Sequence, residues 1–166
     1  AQFYEKYLPV YQDDMDLLYI LSDGEYPSLF VFDPRQETFS QYSEDTDKET
    51  SLRAVHFDSF AHDHSGVLWI GTEVRGLNKL VPQAQVFQNI IRSAGETNSI
   101  SSNNVHEIYQ APKDSERVWI GTMGGGIDAY SFKTHQFTNY KIYPNKPLSL
   151  VANTVQTLCA DDHGYF

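Results

Sequence analysis

The feature that most constrains this chain is a tetrad that returns after fifty residues. Val67-Leu68-Trp69-Ile70-Gly71-Thr72 and Val118-Trp119-Ile120-Gly121-Thr122 share Trp-Ile-Gly-Thr, beginning at 69 and at 119, and Tyr19-Ile20 stands fifty before the first. The same interval relates Val55 to Val105 and Val155, Ile108 to Leu158, Phe87 to Phe137, and Ser99 to Ser149. A fixed period of this length means that one small structural unit recurs and that each unit buries its faces against its neighbours.

Each unit reads as four short strands. In the clearest one these are 105–109, 118–122, 127–132 and 136–140. β-Branched and aromatic residues dominate the strands, and turn residues bracket them: Lys113-Asp114-Ser115, Gly124-Gly125-Gly126 and Lys133-Thr134-His135. No stretch keeps apolar residues at helical spacing over ten or more positions without Gly, Pro or a β-branched cluster intervening. The preceding unit repeats the pattern over 55–60, 67–72, 77–81 and 86–91, and a more diverged one does so over 7–11, 17–21, 29–33 and 39–42.

Tandem four-stranded antiparallel units of about fifty residues are the signature of β-propeller blades. The expected fold is therefore all-β: a partial β-propeller with blades at about 4–42, 54–91 and 104–140, and the start of another over 153–166. Three blades and a beginning do not close a ring of four to eight. Their end faces would meet water, as interaction surfaces do. The expectation is a piece of a longer protein, favoured by the stop at Gly164-Tyr165-Phe166, or copies that associate to complete the ring. Trp69 and Trp119 are expected as wedges between blades. Gly71 and Gly121 would let an adjacent backbone or ring lie flat against the strand.

Composition narrows the partners. Twelve Lys and Arg against 22 Asp and Glu leave a formal charge of −10, which argues against nucleic acid or another polyanion. No apolar run reaches the roughly 18–20 residues of a membrane helix, so no direct membrane insertion is expected. A single cysteine, Cys159, excludes an internal disulfide and a cysteine-based zinc cluster.

Chemistry-bearing motifs reduce to turns. Gly121-Thr122-Met123-Gly124-Gly125-Gly126 lacks the Lys-Ser/Thr and the helix of a phosphate cradle. His62-Asp63-His64 offers two imidazoles but no predictable third ligand, and occupies a hairpin turn between the first two strands of its unit. There is no Gly-x-Ser-x-Gly elbow and no His-Glu-x-x-His, so no catalytic residue, metal or cofactor is assigned. Tyrosines and asparagines on the connections suit a neutral oligosaccharide, with rigid plates for sugar rings and amides for hydroxyls. Tyr26, Tyr42 and Tyr143 are the expected ligand contacts.

The stretches 67–80, 118–130, 137–140 and 98–105 together closely resemble the two-component regulator propeller repeat. The likeness is good over about 51–166 and weaker over 1–50, where Tyr19-Ile20-Leu21-Ser22 stands in place of Trp-Ile-Gly-Thr and the next turn, through Glu25-Tyr26-Pro27, is longer. Repeats of this kind are typical of periplasmic sensor regions of hybrid two-component systems in gut Bacteroidetes. There they usually form two seven-bladed propellers ahead of an immunoglobulin-like domain, a membrane helix and a histidine kinase. The resemblance implies a periplasmic, non-enzymatic sensor segment, dimeric in its parent, recognising an oligosaccharide from a dietary or host glycan. The rival readings are a secreted propeller lyase or glycoside hydrolase, and a repeat module serving assembly alone.

Overall fold

The computed structural model describes residues 10–81, 86–141 and 153–161. It contains three four-stranded antiparallel sheets and, among the described residues, no helix. Blade 1 comprises β1 (Val10–Gln12), β2 (Leu18–Ser22), β3 (Ser28–Asp33) and β4 (Thr38–Ser43). Blade 2 comprises β5 (Phe57–His62), β6 (Leu68–Thr72), β7 (Leu77–Val81) and β8 (Val86–Ile90); blade 3 comprises β9 (Val105–Tyr109), β10 (Arg117–Thr122), β11 (Gly126–Ser131) and β12 (Gln136–Tyr140). Each sheet is a simple meander in sequence order, which short turns between consecutive strands dictate. This is a partial β-propeller, with its sheets not closed into a ring.

The alternation of side chains along each strand sends one set toward the preceding blade and the other toward the next. Tyr19, Leu21 and Leu29 of blade 1 pack on Leu68, Ile70, Leu80 and Phe87 of blade 2. Trp69 and Leu77 leave the other side of blade 2 to meet Val105, Ile108, Val118 and Ile120 of blade 3. The stack has open ends. On the outward side of blade 1, Phe39 is 64% exposed with its ring centroid 4.5 Å from that of Phe32. Residues 153–161 carry no strand assignment, so the strand expected from 153 is not formed there; they hydrogen-bond to blade 3, Val155 N–H to Thr122 O at 3.0 Å and Ala160 N–H to the Tyr109 hydroxyl at 3.4 Å.

The repeated glycine has a visible reason. A Cβ at Gly71 would meet the Ser59 hydroxyl of its own blade and lie 2.6 Å from Val105 Cγ1 and 3.1 Å from Val105 O, and one at Gly121 would lie 3.0 Å from the same two atoms of Val155. In both seams a valine of the next unit seats directly on the glycine. Gly71→Ala is therefore expected to destabilise the chain by about 1–3 kcal/mol through overpacking. Gly24→Ala, where nothing lies within 4 Å of the new Cβ, should leave the urea midpoint unchanged; equal midpoints for the two variants would refute the seating.

Candidate functional site

The seams between blades differ, and the difference makes the site. Between blades 2 and 3, besides Val105 on Gly71, Gly76 N–H donates to Asn103 O at 2.8 Å and Arg92 N–H to Asn103 Oδ1 at 2.6 Å. After blade 3 the pattern repeats: Gly126 N–H donates to Asn153 O at 2.7 Å beside the Val155 seat. The repeat thus stitches each turn between a blade's second and third strands to the incoming linker.

Blade 1 breaks this pattern. Leu21 stands where Gly71 and Gly121 stand, and its buried side chain shares a core cluster with Phe57. By strand register Phe57, opposite Thr72 as Val105 is opposite Thr122, takes the place of Val105 and is buried, and the bulge that follows it recurs after Val105. β5 thus begins at Phe57, two residues later than the valine-initiated strand expected at 55, and Val55 lies in the linker at 39% exposure. The turn from β2 to β3 is five residues long (23–27), against four (73–76) and three (123–125) in the other blades.

Between the long turn and the incoming linker lies a cleft of about 630 Å³ lined by Tyr26, Pro27, Ala54 and Val55, with Glu25, Gln41, Glu44 and His56 among its polar residues. That volume lies within the roughly 300–1,000 Å³ of small-molecule sites. Its walls are tied down. Asp23 accepts from Phe57 N–H and lies against His56 Nδ1, both at 3.3 Å, while the Ser28 hydroxyl donates to Tyr26 O at 3.0 Å and accepts from Gln41 Nε2 at 3.3 Å.

The three tyrosines expected as ligand contacts do not converge. Tyr26 is 77% exposed on the cleft wall. Tyr42 turns into the seam between blades 1 and 2, edge-on to Phe87 at 5.6 Å, and lines a separate depression with Leu17, Tyr19 and Val31. Tyr143 lies outside the described residues. Trp69 is fully buried between blades 2 and 3, and Trp119 is half-buried on the outward face of blade 3, its ring 5.8 Å from that of Tyr140.

His62-Asp63-His64 is a hairpin turn with its imidazoles otherwise engaged or exposed. His62 stacks on Tyr11 at 4.0 Å, and burial holds its pKa below the ordinary value, so the ring favours the neutral form. Among the described residues no group of three His, Cys, Asp or Glu side chains could hold a metal ion. What the motif contributes is Asp63, a role missed from the sequence. Its Oδ1 accepts from Ser65 N–H at 2.9 Å and Val67 N–H at 3.0 Å, and its Oδ2 accepts from Trp69 Nε1 at 2.8 Å. Asp13, fifty residues earlier, caps its turn the same way through Met15 N–H and Leu17 N–H and accepts from the Tyr19 hydroxyl at 3.0 Å. Burial, with that hydrogen bond second, raises the Tyr19 pKa well above the ordinary phenol value.

A second missed pair, Asn78 and Asp128, anchors the linkers. Both are fully buried; Asn78 exchanges two 2.9 Å hydrogen bonds with the backbone of Arg53, and Asp128 Oδ2 accepts from Ser101 N–H at 2.7 Å and from its hydroxyl at 2.9 Å. Burial raises the Asp128 pKa against the opposing effect of these donors and of Asn139. A carboxyl whose folded pKa exceeds its unfolded value contributes stability that is fully present below the unfolded value, about 3.9, and is lost as pH rises through the folded one. Asp128→Asn, which installs the side chain that blade 2 itself uses at this place, is therefore expected to gain stability relative to the parent chain as pH rises from about 4 to 7. Asp128→Ala should cost about 1–3 kcal/mol because Ser101 N–H and Asn139 lose their acceptor. Denaturation curves at several pH values test the pair; a difference between the Asp128→Asn variant and the parent chain that does not change with pH would count against the buried carboxylate.

No protein-family model and no curated protein matches the chain. Solved structures do. Over 80% of this chain, the extracellular domain of the putative hybrid two-component system BT3049 from B. thetaiotaomicron superposes with a TM-score of 0.68 at 25% identity, the match covering 18% of that domain. The neighbours match the family implied by the repeat. The extracellular domain of the putative one-component system BT4673 from the same organism matches 93% of the chain at a TM-score of 0.63 and 20% identity, over 20% of its own length. PorZ, a surface component of the type-IX secretion system of Porphyromonas gingivalis, matches 98% of the chain at a TM-score of 0.52 and 12% identity, over 32% of its length, a likeness of fold alone. The chain spans about a fifth of the first two structures it matches.

Proposed function

We propose that this chain is a propeller segment of the extracytoplasmic, periplasmic sensor region of a two-component system. It scaffolds recognition of a glycan-derived oligosaccharide and performs no chemistry itself. The observation that carries this reading is the match of the blades to the extracellular domain of a hybrid two-component system at 25% identity. In such a parent, remaining blades or a second copy would cover the outward faces of blades 1 and 3, and a dimer would pass the signal to a histidine kinase. Binding alone shifts nothing in such a device: the oligosaccharide must bind one arrangement of the dimer more tightly than the other.

The experiment is a calorimetric titration of the 166-residue chain with neutral oligosaccharides from plant and host glycans, followed by chromatography of the recovered sugar. Saturable binding with the sugar returned intact is the expected result. New reducing ends or unsaturated products would replace the sensor with a glycoside hydrolase or lyase, and no binding by any member would leave only the assembly-module reading.

A further inference from the structure

We infer that the cleft between the long β2–β3 turn and the linker into blade 2 is the saccharide site of this chain, and that it accepts neutral, hydroxyl-rich rings while rejecting uronate and sulfate groups. The inference rests on the sensor reading and gives it a place and a selectivity. Seams built on the repeat are closed by a valine seated on a glycine and by a hydrogen bond from a glycine N–H to an asparagine carbonyl. At the first seam a leucine, Leu21, stands in place of the glycine with Phe57 in the same core cluster, and the longer β2–β3 turn borders a cleft beside the linker.

The lining suits a sugar in two respects. Tyr26 stands 77% exposed beside Pro27, Ala54 and Val55, an aromatic plate and an apolar floor of the kind that the C–H face of a pyranose covers. Glu25 and Glu44 add carboxylates, which accept hydrogen bonds and so match hydroxyl donors. The same carboxylates set the exclusion. The nearby cations already face acids: Arg75 lies 3.9 Å from Glu44, and His56 Nδ1 lies 3.3 Å from Asp23. A uronate or sulfate would enter beside like charge on a chain of net charge −10.

Isothermal titration calorimetry on the full chain tests both parts. The probes are neutral gluco-, galacto- and xylo-hexasaccharides, each set against a uronate-bearing form: glucuronate-substituted gluco- and xylo-chains, and oligogalacturonate. The expected result is binding of a neutral member and at least tenfold weaker binding of its uronate counterpart. Tyr26→Ala should weaken the neutral sugar at least tenfold with an unchanged melting curve, as befits an exposed side chain. Glu25→Gln with Glu44→Gln should narrow the neutral-to-uronate ratio at least tenfold. Neutral binding untouched by Tyr26→Ala overturns the site while the sensor reading stands, and a ratio unmoved by the glutamine pair overturns the selectivity. Binding of no neutral sugar overturns the inference together with the oligosaccharide reading beneath it.

Discussion

Trp69→Ala is expected to cost the chain about 3–5 kcal/mol, the range for emptying a buried aromatic site. Trp69 is fully buried among Leu77, Val105, Ile108 and Ile120, with ring centroids 5.5 Å from Tyr130 and 6.2 Å from Phe132. Lys79 Nζ lies 5.2 Å from its ring centre, and its Nε1 donates to Asp63. Removing the indole empties a volume bounded by two sheets, and neither can collapse into it without breaking the register of its own strands. Against a typical domain stability of about 5–15 kcal/mol the loss is large. Trp119 supplies the internal control. Fifty residues on and half-buried on the outward face of blade 3, it should cost only about 1–2 kcal/mol when truncated. Urea denaturation followed by circular dichroism measures both; equal losses would mean that Trp69 is not a wedge between blades.

That contrast also marks what can be read from a periodic sequence. The fold was legible because fifty-residue spacing, the Trp-Ile-Gly-Thr strand and alternating apolar residues are local signals, and the inter-blade seat of Gly71 is their direct consequence. The candidate site was only half legible. Tyr26 could be found as an aromatic on a long connection, but Tyr42, expected as a ligand contact although it ends the 39–42 strand, turned inward to Phe87, because strand alternation in β4 sends it toward blade 2. The cleft itself was not legible: it lies between the lengthened 23–27 turn and linker residues 54–56, where the fifty-residue spacing slips by two, Phe57 and not Val55 taking the place of Val105. Asp13 and Asp63 do carry a signal, since they sit fifty apart, six residues before Tyr19 and Trp69. Adjacent carboxylates and histidines hid it by reading as an ordinary solvated turn.

Asp63→Ala should be the second large effect, at about 3 kcal/mol, because one carboxylate serves two structures. Its Oδ1 holds the β5–β6 turn through Ser65 and Val67, and its Oδ2 satisfies the only polar atom of a fully buried indole. Asp63→Asn separates the two roles. The amide oxygen can keep the turn, but the amide nitrogen then faces Trp69 Nε1, donor against donor, and the expected cost is about 1–2 kcal/mol. In a Trp69→Phe background the indole N–H is gone, so the same Asp63→Asn change should cost at least about 1 kcal/mol less, which a double-mutant cycle of denaturation free energies reads directly. Additive costs would mean that the carboxylate supports only the turn. Blade 1 predicts the opposite outcome for the equivalent change. Asp13 meets a tyrosine hydroxyl, which can accept as readily as donate, so Asp13→Asn should be nearly silent where Asp63→Asn is not.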